Sequence, residues 1–303
     1  MDKVVIAVDA GGTNTVVVAI NQNKEIVDQL IGGTGSVAVG GDEAIQDIFN
    51  LVEEVYNRVF GKYKVVFIQM GLSGFGVIKD PSSLEKSLSV KLNVDVSIDS
   101  DTNLGLYSLI EDKYNEGILV ISGTGSAVSG IKDNKTILIG GYGALLTEHG
   151  SAYTSVKMLI VDIINQYEDS QTYSKIGREF LDLIGARSVS DFRRFMYTKT
   201  KAKIAGYSPF ISKKALEGDE IAIGILKKCG IDLALSVKKV YKNLEISNDF
   251  VLGVIGGFIR EAPYVQVELI DALGKYNIKP KIISDCINPV YGGFYMAKRK
   301  GKL

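Results

Sequence analysis

Two hydrophobic periods alternate along the chain. Short apolar runs stand at residues 4–8, 65–70 and 251–255. Runs of that length, bounded by Gly, Asp or Asn, read as buried strands. Residues 15–20 and the stretch from Ile26 to about Ile31 predict two further strands, with turns at 11–13 and 21–24. Val94, Val96 and Ile98 alternate as a half-buried strand does. Ile45, Ile48, Phe49, Val52, Val55, Tyr56 and Val59 instead recur at helical spacing across 43–60. Helices are also predicted over 81–92 and 104–110. Residues 32–41 (GGTGSVAVGG) read as a flexible loop.

A strand–turn–strand–turn–strand pattern occurs twice. At an offset of 111 residues and without a gap, Gly12 falls on Gly123, Thr13 on Thr124, Val17 on Val128, Ile20 on Ile131, Asn23 on Asn134, Lys24 on Lys135 and Ile26 on Ile137. A repeat at a domain-sized offset predicts two related domains, each presenting one Gly/Thr turn. After the second copy helices dominate, over 152–167, 174–184, 189–197, 199–205, 209–217 and 219–244. The strand at 251–255 ends at Gly256-Gly257, with a helix expected from about Glu261. Residues 281–284 predict an edge strand and 288–300 a terminal helix, opened by Gly292-Gly293. No Pro/Ser-rich linker separates the halves, so the boundary is expected within 104–113, acting as a hinge.

Several positions carry candidate chemistry. Gly11 and Gly12 lack side chains, so backbone N–H groups there can approach an anion, and the Thr13 hydroxyl adds a donor. Asp9, just before that turn, suits a Mg²⁺ ion held through water. Ser73 lies in the Gly-rich break at 71–76 and reads either as structural or as facing a ligand. Asp101 has two readings. It is an N-cap that stabilises a helix by about 1 kcal/mol, or an acid at a strand end, where α/β folds place catalytic groups. Glu148 and His149 precede a helix start and serve equally as caps or ligands. Gly256 and Gly257 allow close approach of a flat base or ribose. The lysines of 219–244 fit a solvated helix face.

Composition narrows the classes. The 303 residues are 46% hydrophobic, enough for two full cores. Lys and Arg number 35 against 35 Asp and Glu, so no general attraction to nucleic acid or an anionic membrane is expected. Any phosphate site must be local. Cys229 and Cys286 show no metal-type spacing, and His149 is the single histidine. No apolar run approaches the roughly 18 residues of a membrane span, and the N-terminus begins a strand with no signal peptide. A cytoplasmic protein is expected.

The order DAGGT (9–13), Asp101 at a strand–helix junction, ISGTGS (121–126), GGYG…EHGSAY (140–153) and VIGGF (254–258) resembles the BadF/BadG/BcrA/BcrD ATPase and N-acetylglucosamine kinase family across essentially the whole chain. The resemblance implies an α/β, two-domain actin-like ATPase (ribonuclease H-like) fold with a hinged central cleft. Its N-terminal domain would be 1–108, completed by the helix 288–303, and its C-terminal domain 109–287, with a helical insertion. It implies an ATP- and Mg²⁺-dependent sugar kinase. Asp9, Gly11, Gly12, Thr13 and Asn14 would form one phosphate loop, with Asp9 on the metal. Gly123, Thr124, Gly125 and Ser126 would form the other, and Gly256 and Gly257 would line the adenosine pocket. Asp101 would be the catalytic base. Ser36, Ser73, Gly74, Gly123, Glu148 and His149 would join it around the sugar.

A homodimer is implied by the same resemblance. Aminosugar kinases of the family show Asp-Glu before GSAY, where this chain has Glu148-His149. Their first-domain loop carries a Thr-Asn-x-Trp type element, where this chain has Gly35, Ser36, Val37 and Ala38. The acceptor is therefore left open among N-acetylglucosamine, glucose or another hexose, and a sugar acid such as 2-keto-3-deoxygluconate. A dehydratase-activating ATPase and a non-catalytic nucleotide-dependent regulator are the other classes.

Overall fold

The computed structural model describes residues 1–12, 14–247, 249–283 and 287–303. Thr13, Ser284 and Cys286, which figured among the expectations, lie outside the described residues. The chain opens with an antiparallel meander, β1 (Lys3–Ala10), β2 (Thr15–Asn21) and β3 (Ile26–Gly32). Then follow α1 (Val37–Val59), β4 (Lys64–Leu72), α2 (Pro81–Leu92), β5 (Val96–Ser100) and α3 (Asp101–Ile110). The sheet order is β3-β2-β1-β4-β5, with β1, β4 and β5 mutually parallel.

A second meander follows, of β6 (Glu116–Ser122), β7 (Ser126–Lys132) and β8 (Lys135–Gly140). Six helices come next: α4 (Ala152–Ser170), α5 (Lys175–Ile184), α6 (Asp191–Thr198), α7 (Lys201–Ala205), α8 (Ser208–Leu216) and α9 (Glu220–Asn243). The chain continues through β9 (Val251–Ile255), α10 (Gly257–Glu261), α11 (Val265–Lys275), β10 (Lys281–Ile283) and α12 (Val290–Arg299). This sheet has the order β8-β7-β6-β9-β10, the same topology as the first. The offset of 111 residues carries β2 onto β7 residue for residue.

Two compact units result. One comprises Met1–Leu119, Ile131–Thr136 and Asp285–Leu303; the other comprises Val120–Gly130 and Ile137–Ser284. In the first, β1 is buried on both faces. Val4, Ile6 and Val8 point one way, against Ile48, Phe49 and Val52 of α1 and Leu88 and Leu92 of α2. Ala7, with Val18 and Ile20 of β2, points the other way, against Val290, Phe294 and Tyr295 of α12. Gly292 and Gly293 make that second contact possible. A Cβ on Gly292 would stand 1.8 Å from the Leu104 carbonyl oxygen of α3, and one on Gly293 would stand 2.6 Å from Ala7 Cβ. Arg299 fastens the end of α12 by donating to the Glu111 and Tyr114 carbonyls at 2.9 and 3.0 Å. In the second unit, Phe180 of α5, Phe192 and Phe195 of α6, Tyr207 and Phe210 form a packed aromatic cluster. Among the described residues, no helix is long and apolar enough to cross a membrane.

Two expectations change. The stretch 32–41 is not all loop, because α1 begins at Val37. Val37 is buried, and the Val39 and Gly40 N–H groups donate to the Ser36 carbonyl, closing one helical turn. Gly41, at φ 56° and ψ −137°, then redirects the helix. Likewise α10 starts at Gly257 rather than near Glu261, and a second helix, α11, follows it.

Candidate active site

In the first unit the parallel strands β1, β4 and β5 end side by side. Asp9 pairs with Val16 of β2 and with Gly71 of β4, and Gly71 pairs with Asp99 of β5. The carboxylates at these ends therefore share one edge of the sheet, where α/β proteins place ligands. Ser100 caps α3: its Oγ accepts from the Asn103 N–H at 3.1 Å. This corrects the N-cap reading of Asp101, which is the first helical residue. Asp101 Oδ1 accepts from the Thr102 N–H at 2.8 Å, and the Ser73 side chain lies close enough to favour the charged carboxylate. Burial pushes the Asp101 carboxyl above its usual range, opposed in part by those contacts. Burial, aided by the charge of Asp101, pushes Asp9 up to about 6.

Three backbone segments close around these acids. Gly11 N–H donates to Asn14 O, Gly35 N–H to Gly11 O, Ser73 N–H to Ala10 O and Val37 N–H to Ser73 O, all at 2.8–2.9 Å. The Thr34 hydroxyl donates to Gly12 O at 3.1 Å. Gly74, at φ 81°, has no room for a side chain, since a Cβ would stand 2.6 Å from Ala38 N. Asp9, Gly11, Gly12, Asn14, Ser36, Ser73, Gly74 and Asp101 thus come together.

The second unit assembles a different site. In the turn after β6, Gly123 N–H donates to Gly125 O at 2.9 Å, while Ala152 N–H donates to Gly123 O, also at 2.9 Å. The Ser122 hydroxyl donates to Gly150 O at 2.6 Å and the Ser126 hydroxyl to His149 O at 2.7 Å. Ser126 therefore spends its hydroxyl on the 148–151 loop. His149 contributes its carbonyl here, and the residue as a whole is exposed. Gly256, at φ 116°, lies against the turn, where a Cβ would be 2.2 Å from Ser122 O.

Beside this turn opens a cavity of about 700 Å³, lined among others by Thr124, Ala202, Ser212, Phe258 and Glu261. Gly123 and Gly257 border it as well. Glu148 is 8% exposed, and Lys201 Nζ lies 2.5 Å from its Oε2. Lys201 and the cavity wall of α7 and α8 were not foreseen. Nothing in the sequence distinguishes this lysine from Arg193, Arg194, Lys199 and Lys203 around it.

Asp9 suits a hard divalent cation, because its carboxyl is raised by burial and then by the negative charge of Asp101, while Asp101 itself is raised by burial. Among the described residues, no group of three or more metal-binding side chains gathers. A Mg²⁺ ion at Asp9 would therefore keep most of its water. Cys229 is fully buried in α9, and its thiol is pushed up to about 12 by burial.

The pattern that defines the BadF/BadG/BcrA/BcrD ATPase family matches residues 6–293. An N-acetylmuramic acid/N-acetylglucosamine kinase of Clostridium acetobutylicum is 26% identical over 98% of each chain. Among solved structures, a Chromobacterium violaceum protein proposed to be an N-acetylglucosamine kinase superposes with a TM-score of 0.68 at 18% identity, covering 96% of this chain and 97% of that one. A ROK family glucokinase from Streptomyces griseus, in complex with glucose and AMPPNP, gives a TM-score of 0.58 at 14% identity over 98% and 99%. Identities this low establish a shared fold, the actin-like ATPase fold, and nothing finer.

Proposed function

The chain belongs to the BadF/BadG/BcrA/BcrD ATPase family, and on that footing we propose that it is an ATP-dependent carbohydrate kinase. The proposed acceptor is an amino sugar of the N-acetylglucosamine or N-acetylmuramic acid kind, as for the Clostridium relative. The observation that carries the kinase reading is the state of Asp101. It is a carboxylate freed from capping, partly buried at the ends of parallel strands, oriented by the Thr102 N–H and with the Ser73 side chain beside it. A general base needs that combination of fixed direction and raised basicity. In this reading the domains are 1–108 with 288–303, and 109–287.

The roles divide as follows. Asp101 accepts the proton of the sugar hydroxyl that attacks phosphorus. Ser73 stands beside that carboxylate, and Ser36 and Gly74 border the sugar. Gly123, Thr124 and Gly125 offer backbone N–H groups to the nucleotide's phosphates, and Gly256 and Gly257 admit the adenosine to the neighbouring cavity. Asp9, with Gly11, Gly12 and Asn14 beside it, would hold hydrated Mg²⁺. When bound, that ion neutralises charge on the transferring group. The protein's own contribution is then mostly positioning.

The test is ADP release from Mg²⁺–ATP against N-acetylglucosamine, N-acetylmuramic acid, glucosamine, glucose, gluconate and 2-keto-3-deoxygluconate. Stimulation by the N-acetylated sugars supports the reading. Stimulation by glucose or a sugar acid alone overturns the acceptor assignment, and ADP release indifferent to every sugar overturns the kinase.

A further inference from the structure

Lys201 is the first residue of α7, which begins where the Thr200 hydroxyl accepts from the Lys203 N–H. The next turn of that helix, through Ala202, Ala205 and Gly206, forms one wall of the 700 Å³ cavity, and Gly123 and Thr124 form its edge. The lysine thus stands where the cavity meets the turn. A Cβ built on Gly125 would lie 2.5 Å from Lys201 Nζ and 2.6 Å from Glu148 Oε2. A nucleoside in the cavity with its phosphates directed at the turn would bring them to this cation.

The ion pair is unequal. Glu148 is almost wholly buried, and its segment is pinned: Thr154 Oγ1 donates to the Glu148 carbonyl at 2.7 Å, and Ser126 fixes the next residue. The lysine side chain keeps 39% of its surface exposed, against 8% for the glutamate. The acid cannot follow if the cation moves, whereas a four-carbon stem with a point-charge head can. Gly125, having no side chain, leaves the ion pair the space it fills against the turn.

We propose that Lys201 is a phosphate-binding residue, held ready on Glu148 and transferred to the β- and γ-phosphates of the bound nucleotide. The proposal rests on reading the 123–126 turn and its cavity as the nucleotide site. It adds to that site a cation supplied by the helical insertion. It also gives Glu148 a second duty, to hold the lysine over the turn while no phosphate is there.

Calorimetric titration of the full chain with adenosine, AMP and ADP, in the absence of sugar, tests this. Wild type should bind ADP more tightly than adenosine. Lys201→Met should weaken ADP by about 10- to 100-fold, the range for one charge-assisted hydrogen bond, and change adenosine less than about twofold. Lys201→Arg should keep most of the ADP affinity. Glu148→Gln, which releases the lysine, should leave ADP binding intact or tighten it.

Removing one partner of a buried pair can unfold a protein. The double variant Lys201→Met/Glu148→Gln removes both charges and should show the same loss confined to phosphorylated ligands. Equal losses for adenosine and ADP, or no loss in either lysine-to-methionine variant, overturn the proposal while the nucleotide site stands. A wild type that binds ADP no better than adenosine overturns the site reading itself, and the proposal with it.

Discussion

Asp9, at the end of β1, sits in the electric field of Asp101, at the start of α3, and that charge adds to burial in lifting the Asp9 carboxyl from 3.8 to about 6. An acid whose folded-state pKa is raised stabilises the fold when protonated. That stabilisation is full below 3.8 and is lost as pH rises through about 6. Asp9→Asn removes this contribution to the pH dependence. Without Mg²⁺, the variant should exceed wild type in stability above about pH 6 by on the order of 2–3 kcal/mol, with the gap closing towards about pH 4. Denaturant titrations from acid to neutral pH measure it, and a gap that ignores pH would refute the assignment.

Ser100 and Asp101 are adjacent and should separate by phenotype. Ser100→Ala removes the cap of α3 and should lower stability by about 1 kcal/mol. Asp101→Asn should lower kcat by roughly 10²–10⁴ with a melting temperature no lower than that of wild type. Near-normal turnover by a folded Asp101→Asn protein would remove the base.

Gly256→Ala places a Cβ 2.2 Å from Ser122 O at a backbone φ of 116°, where L side chains are strained. The expected result is at least about a tenfold loss of nucleotide affinity, because the turn at Ser122 and Gly123 must shift to clear the new Cβ. Titration with ADP at a temperature where the variant remains folded reads this out. Unchanged affinity would detach Gly256 from the nucleotide site.

Gly292→Ala forces a Cβ to within 1.8 Å of Leu104 O. A backbone contact of that kind should cost about 3 kcal/mol or more, seen as a lowered urea midpoint. Gly33→Ala, whose Cβ meets nothing within 4 Å, is the control and should stay within about 0.5 kcal/mol of wild type.

Much of this was legible in the sequence, for identifiable reasons. The run at 4–8 is apolar because β1 is covered on both faces, and burial on both faces leaves no polar alternation to hide the strand. The duplicated meander was visible because Gly, Asn and Lys recur at corresponding turn positions and Val and Ile at corresponding strand positions. The local pattern left Asp101 open between a cap and a catalytic acid because Ser100, one residue earlier, is an equally good capping residue, and local sequence cannot decide between neighbours. The first turn of α1 was missed because its stability comes from outside the segment, through the burial of Val37 and its bond to Ser73 O. Lys201 was invisible because its partner, Glu148, is distant in sequence and its neighbours are equally basic.

The terminal helix has a consequence for biosynthesis. The first unit begins at Met1, yet its sheet stays uncovered on the Ala7–Val18–Ile20 side until α12 has been translated. Every strand and helix of the second unit is translated before that. The nascent chain must therefore carry an apolar half-sheet through most of its synthesis, the kind of surface that chaperones hold and that aggregates when they do not. Release of a chain truncated before Val290 should yield insoluble protein even though every residue proposed here for chemistry is present. The last helix acts as the stopper that ends this vulnerable interval.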